Sequence, residues 1–117
     1  MNWKTLSSTD QLSELIAASH THPVMIMKHS TRCSISSMAL NRIERAWNEE
    51  EATPLTPYYL DLIAHRDVSN AIAEQLGVMH QSPQIIVISQ GKAVYDNSHM
   101  GISYNDIIKV AKDQTLT

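Results

Sequence analysis

A continuous apolar run, Pro23-Val24-Met25-Ile26-Met27, leads into Lys28-His29-Ser30-Thr31-Arg32-Cys33-Ser34-Ile35-Ser36, which holds the only cysteine of the 117 residues. An apolar run without alternation predicts a strand, Val24 to Lys28, that is central and buried on both faces. Beyond Cys33, the residues Ile35, Met38, Ala39, Ile43, Ala46 and Trp47 recur at helical spacing, which predicts a helix reaching about Glu49. A cysteine where a strand hands over to a helix sits at the helix's positive end, beside N–H groups that lack intrahelical partners. Such a position suits a thiol that must ionise.

Magnitudes say what else such a site needs. A free thiol titrates near ~8.5, and lowering that by about two units requires about 2.7 kcal/mol of preference for the anion. A helix end supplies about 0.3–1 kcal/mol at an exposed site and up to about 2 in good geometry. The remainder falls to hydrogen bonds, for which the N–H groups of Ile35 and Ser36 and the Ser36 hydroxyl are the expected donors, with Arg32 adding positive field. The competing reading is a buried cysteine serving as a small apolar residue.

Composition narrows the function classes. With 43% hydrophobic and 18% charged residues, the chain reads as one globular domain over 1–117. A net charge of −3 without any basic run argues against nucleic acid as a partner. A lone cysteine excludes both a disulfide framework and an internal dithiol pair. No segment resembles a signal peptide or approaches membrane-spanning length, so no membrane association and a reducing cytoplasm are expected.

The remaining elements follow in order. Ser8 to Gln11 reads as a capping box opening a helix with Leu12, Leu15 and Ile16 on one face. His20-Thr21-His22-Pro23 closes it as a polar loop. Thr53-Pro54-Leu55-Thr56-Pro57 reads as a linker, and Tyr58 to Ile63 as a strand. Asp67 is the expected cap of a third helix, whose inner face is Val68, Ala71, Ile72 and Leu76 and whose stop is Gly77. Ile85-Ile86-Val87-Ile88, the turn Ser89-Gln90-Gly91-Lys92 and Ala93-Val94-Tyr95-Asp96 predict a hairpin. A last helix from Ser103 to Lys112 turns Ile107, Ile108 and Ala111 inward. The order α-β-α-β-α-β-β-α predicts an α/β fold with a four-stranded mixed sheet, its parallel crossover right-handed.

A strand, a cysteine opening a helix, and a proline just before the hairpin together resemble the thioredoxin superfamily. That resemblance implies a cis peptide bond before Pro83, with its loop beside the reactive sulfur and Ser82 offering backbone groups to a bound chain. The motifs Lys28-His29-Ser30, Cys33-Ser34-Ile35-Ser36, His80-Gln81-Ser82-Pro83-Gln84 and Ser98-His99 with Ile102 more closely resemble the monothiol bacilliredoxins, the YtxJ-like family of the bacillithiol system. Arg32 and Ser34 depart from that family's commoner Thr-Cys-Pro-Ile-Ser.

The resemblance implies a thiol–disulfide oxidoreductase that reduces mixed disulfides between client proteins and bacillithiol, with Cys33 as nucleophile. Ser36 stands where a dithiol enzyme has its second cysteine. No tightly bound cofactor or metal is implied; bacillithiol or another small thiol is the co-substrate. A second thiol, from the small thiol or from a dithiol bacilliredoxin or thioredoxin-like reductant, regenerates Cys33. Lys28, Arg32 and Arg66 are the cations available for bacillithiol's carboxylates, and His29 and His80 are near enough in sequence to approach the sulfur. Ser34, Ser82, Pro83 and His80 complete the expected binding surface. Two other functions compete: an iron–sulfur carrier like the monothiol glutaredoxins, which have Cys-Gly-Phe-Ser here, and a non-catalytic redox sensor. An arsenate-reductase-like role expects a basic cluster that the sequence lacks.

Overall fold

β-Branched and apolar residues dominate two runs, Val24–His29 (β2) and Gln84–Ser89 (β4), and every residue in both is buried. These strands pair antiparallel, Ile26 opposite Ile86, and form the centre of the sheet in the computed structural model, which describes residues 1–115. Around them stand β1 (Lys4–Thr5), α1 (Thr9–Ala18), α2 (Ser34–Ala46), β3 (Thr56–Asp61), α3 (Arg66–Leu76), β5 (Lys92–Ser98), a 3-10 turn at His99–Gly101, and α4 (Tyr104–Thr115).

Strand order is β1-β3-β2-β4-β5, with β1 and β2 parallel to β3 and with β5 antiparallel to β4. The sheet thus has five strands among the described residues, one more than expected. The extra one, β1, is a two-residue edge strand with both residues exposed, too short to show alternation.

Successive side chains of a strand point to opposite faces, so β2 and β4 each feed two cores. Met25, Met27, Ile85 and Val87 pack with Ala39 and Ile43 of α2 and Ile107, Ile108 and Ala111 of α4. Val24, Ile26, Ile86 and Ile88 pack with Leu12 and Leu15 of α1 and Val68 and Ile72 of α3.

Several boundaries differ from the sequence expectation, each for a local reason. β3 begins at Thr56 and ends at Asp61, because Pro57 lies opposite Met25 in a parallel register and Asp61 Oδ1 accepts the N–H groups of Ile63 and Ala64, which turns the chain. The supposed linker therefore gives its last two residues to the sheet. α2 stops at Ala46, short of Glu49, where Asn48 Oδ1 takes the N–H groups of Glu50 and Glu51 and the Tyr104 hydroxyl takes that of Asn48. The capping box at α1 is shifted by one residue: Ser8 Oγ accepts from Gln11 N–H, but Gln11 Oε1 accepts from Ser7 N–H. His65, not Asp67, precedes α3, and Asp67 falls in its first turn. Gly77 at φ 68° ends α3, and the hairpin turn places both Gln90 and Gly91 at positive φ, 55° and 76°.

Candidate active site

The parallel pairing of β2 with β3, and the antiparallel pairing of β2 with β4, bring His29, Asp61 and Gln84 together at one end of the strands. At that end β2 leaves the sheet, turns through Ser30 (Cys33 N–H donates to Ser30 O, 3.1 Å) and enters α2. Cys33 is the residue that precedes α2, extended at φ −112° and ψ 118°, and Ser37 N–H donates to its carbonyl at 3.1 Å. The residue is partly exposed, so the reading of a sealed apolar cysteine does not hold. Arg32 and Ser34 on either side are exposed.

The expected hydrogen bonds to the sulfur are absent from this geometry. The Cys33 side chain takes no hydrogen bond from the first turn of α2. Ser36, fully buried, turns the other way: its Oγ accepts from Ser30 N–H at 3.0 Å and lies 2.6 Å from His29 Nδ1. With one lone pair taken by a backbone donor, the hydroxyl proton is free for the imidazole. Ser36 therefore fastens the loop before Cys33 onto the last residue of β2. His29 is itself buried, 5.6 Å from the Tyr59 ring between centroids. Burial lowers its pKa, against opposing contributions from Asp61, Ser36 and Glu44, so the ring is neutral at neutral pH.

The second histidine is held by another device. Lys28 is fully buried, and burial pushes its pKa down to about 8. Its Nζ lies 3.3 Å from His80 Nδ1, and Ser69 Oγ of α3 lies 3.2 Å from the same nitrogen. Desolvation first, then Lys28 and Arg66, lower the His80 pKa. A neutral His80 that accepts from Lys28 is the consequence, not an imidazolium beside a thiolate. Lys28 is thus no solvated cation for a carboxylate; its ammonium is spent inside the protein.

Ser82–Pro83 is cis, as the resemblance implied. Pro83 is buried and Ser82 half-buried, so Ser82 is the more open of the pair. Gln84 holds the loop from below, donating to Met79 O at 3.1 Å and accepting from Gln81 N–H at 3.3 Å. His99, at φ 54°, donates its N–H to Pro83 O at 3.1 Å, and Arg42 of α2 donates to His99 O at 3.1 Å and Ile102 O at 3.2 Å. The cysteine helix and the proline loop are therefore tied through one turn. Gly101 belongs to this tie, since a Cβ there would collide with the Asn97 side chain.

Sequence reasoning missed Asp61, Ser69 and Arg42, and quoted Gln84 in a motif without giving it a role. Gln84 carried a second signal, as a polar residue opening an apolar strand. Among the described residues no group of three or more His, Cys, Asp or Glu side chains gathers as metal ligands would, and no helix is long and apolar enough to cross a membrane.

Comparison with known proteins places these features in a family. A solved structure of a candidate oxidoreductase with a thioredoxin fold is 30% identical, covers 90% of this chain and 89% of its own, and superposes with a TM-score of 0.77. Thioredoxins of Malassezia sympodialis and Trypanosoma brucei brucei share the fold at 12% identity and TM-scores of 0.75, covering 97% and 99% of this chain and 91% and 93% of theirs. The family model described as monothiol bacilliredoxin BrxC matches residues 4–107. With a thioredoxin fold and a match spanning most of its length, the chain belongs to the monothiol bacilliredoxin family, whose membership points to thiol redox chemistry.

Proposed function

We propose that this protein reduces mixed disulfides between client proteins and a low-molecular-weight thiol, bacillithiol, using Cys33 alone. The observation that carries the reading is a partly exposed Cys33 at the head of α2, with a buried serine at position 36 and no second cysteine in the chain. The Cys33 thiolate attacks the small thiol's sulfur. A Cys33–small-thiol disulfide forms, the client's S–S bond breaks, and the client sulfur leaves as a thiolate that takes a proton from water. Ser36 cannot displace the adduct, so a second thiol must attack it, leaving as an oxidised disulfide and returning Cys33.

Arg32 and Ser34, both exposed beside the sulfur, are the residues best placed to meet bacillithiol's carboxylates; an exposed Arg–carboxylate contact is worth about 0.2–1 kcal/mol. Ser82 offers backbone to the client chain, with Pro83 as its buried support. Lys28 and His80 act through that loop rather than on the ligand. Regeneration falls to bacillithiol itself or to a dithiol reductant, and a cytoplasmic setting suits both.

The test is turnover. A bacillithiolated protein supplied in large excess, with bacillithiol as reductant, is predicted to be reduced many times per Cys33. One stoichiometric modification followed by arrest would identify a redox sensor instead. Arg32→Ala is expected to raise KM about two- to fivefold, with kcat little changed.

A further inference from the structure

The stripe Ile35, Met38, Arg42, Arg45 runs along one face of α2 at helical spacing, starting two residues after Cys33. Ile35 and Met38, two of the apolar residues whose helical spacing predicts α2, are 49% and 57% exposed, and Met100 across from them is 78% exposed. Between α2 and the 3-10 turn lies a cleft of about 400 Å³ lined by Met38, Asn41, Arg42, Arg45 and Met100. Arg42 and Arg45 also border a second, more polar cleft of about 620 Å³ that reaches Ser103 and Asn105 at the start of α4.

Charge decides what fits. Arg42 spends its guanidinium on two carbonyls and Arg45 its Nε on Asn41 O, so among the described residues neither is paired with a carboxylate. The acid one position before Arg45, Glu44, accepts from Trp3 Nε1. Two cations without counterions beside an exposed methionine pair, on a chain of net charge −3, form a local positive and apolar face. Methionine adapts its shape to varied aliphatic partners, and guanidinium groups select carboxylates.

We propose that this face docks an acidic polypeptide segment of a partner, with an aliphatic side chain between Met38 and Met100 and a flanking carboxylate on Arg45. That the partner is a redox client or reductant rests on the proposed function; the docking does not.

The test is an NMR titration of the whole protein with a short synthetic peptide carrying one leucine flanked by glutamates, and with a twin carrying lysines instead. The glutamate peptide is expected to shift the amides of Met38, Arg42, Arg45 and Met100, and the lysine twin to leave them in place. Arg45→Glu and Met100→Ser should each weaken binding about tenfold in proteins whose spectra are otherwise native. Equal response to both peptides, shifts confined to other surfaces, or the same amides moving with protein concentration alone, which marks a second copy as occupant, would each overturn the proposal. Turnover of a small-molecule mixed disulfide by the Arg45→Glu protein reports separately on the proposed function. Its loss in wild-type protein as well would sink that reading while leaving the docking result standing.

Discussion

At the scale of single residues, the site depends on two buried polar side chains, Ser36 in the first turn of α2 and Lys28 in the central strand β2. Ser36 joins Ser30 N–H to His29 Nδ1 beneath the surface. Ser36→Ala leaves the buried His29 Nδ1 and the half-buried Ser30 N–H without this partner, which should cost about 1–3 kcal/mol in urea unfolding; a change within experimental error would show that the hydroxyl is dispensable. Lys28 sets up a different signature. Its folded pKa of about 8 is below its unfolded value, so above pH ~8 the unfolded chain binds the proton that the folded chain has released. Stability contributed by this group therefore rises with pH between about 8 and 10, and the burial penalty is fully present below that window. Lys28→Met should flatten that rise, and a wild-type curve that falls across the window would contradict the assignment. Neither role was legible in the sequence. Lys28 sits in an apolar run where its partner, His80, is 52 residues away, and only the register of β2 against β4 brings them together.

At the scale of elements, α2 has an inner face that closes the core and an outer stripe that does not. Hydrophobic spacing announced the helix but could not separate Ala39 and Ile43, which are buried, from Ile35 and Met38, which are open. The helix's other task is mechanical. Arg42 ties it to the turn at His99–Gly101, and His99 ties that turn to Pro83 O. Arg42→Met keeps the stem and removes these donors, so amide hydrogen exchange at His99 and Ile102 should quicken several-fold while the N–H groups of β4 stay protected. Unchanged exchange at both residues would show that the turn holds itself. His99 was quoted in the sequence motif without a reason; its left-handed backbone and its bond to the proline loop supply one.

At the scale of the whole molecule, the architecture was largely readable because β2 and β4 are continuous apolar runs and because Gly77 and Gln90-Gly91 mark stops and turns by backbone chirality alone. What escaped were features with no local pattern: a two-residue edge strand, a single proline accepted at the start of β3, and Glu51 after α2 accepting from the Tyr104 hydroxyl at the start of α4. The candidate site divides in the same way. Cys33, Ser36 and Pro83 were placed by motif, whereas the hydrogen bonds that hold them required the assembled sheet. Among the described residues Cys33 carries the chain's only thiol at this end of the sheet, and the proposed function rests on that sulfur. Intact-mass spectrometry of the protein after reaction with a bacillithiolated client tests this directly. The account predicts one bacillithiol on Cys33 and a freed client thiol, with no adduct on Cys33→Ser; a client that keeps its modification, or an adduct that persists in the Cys33→Ser protein, would contradict it.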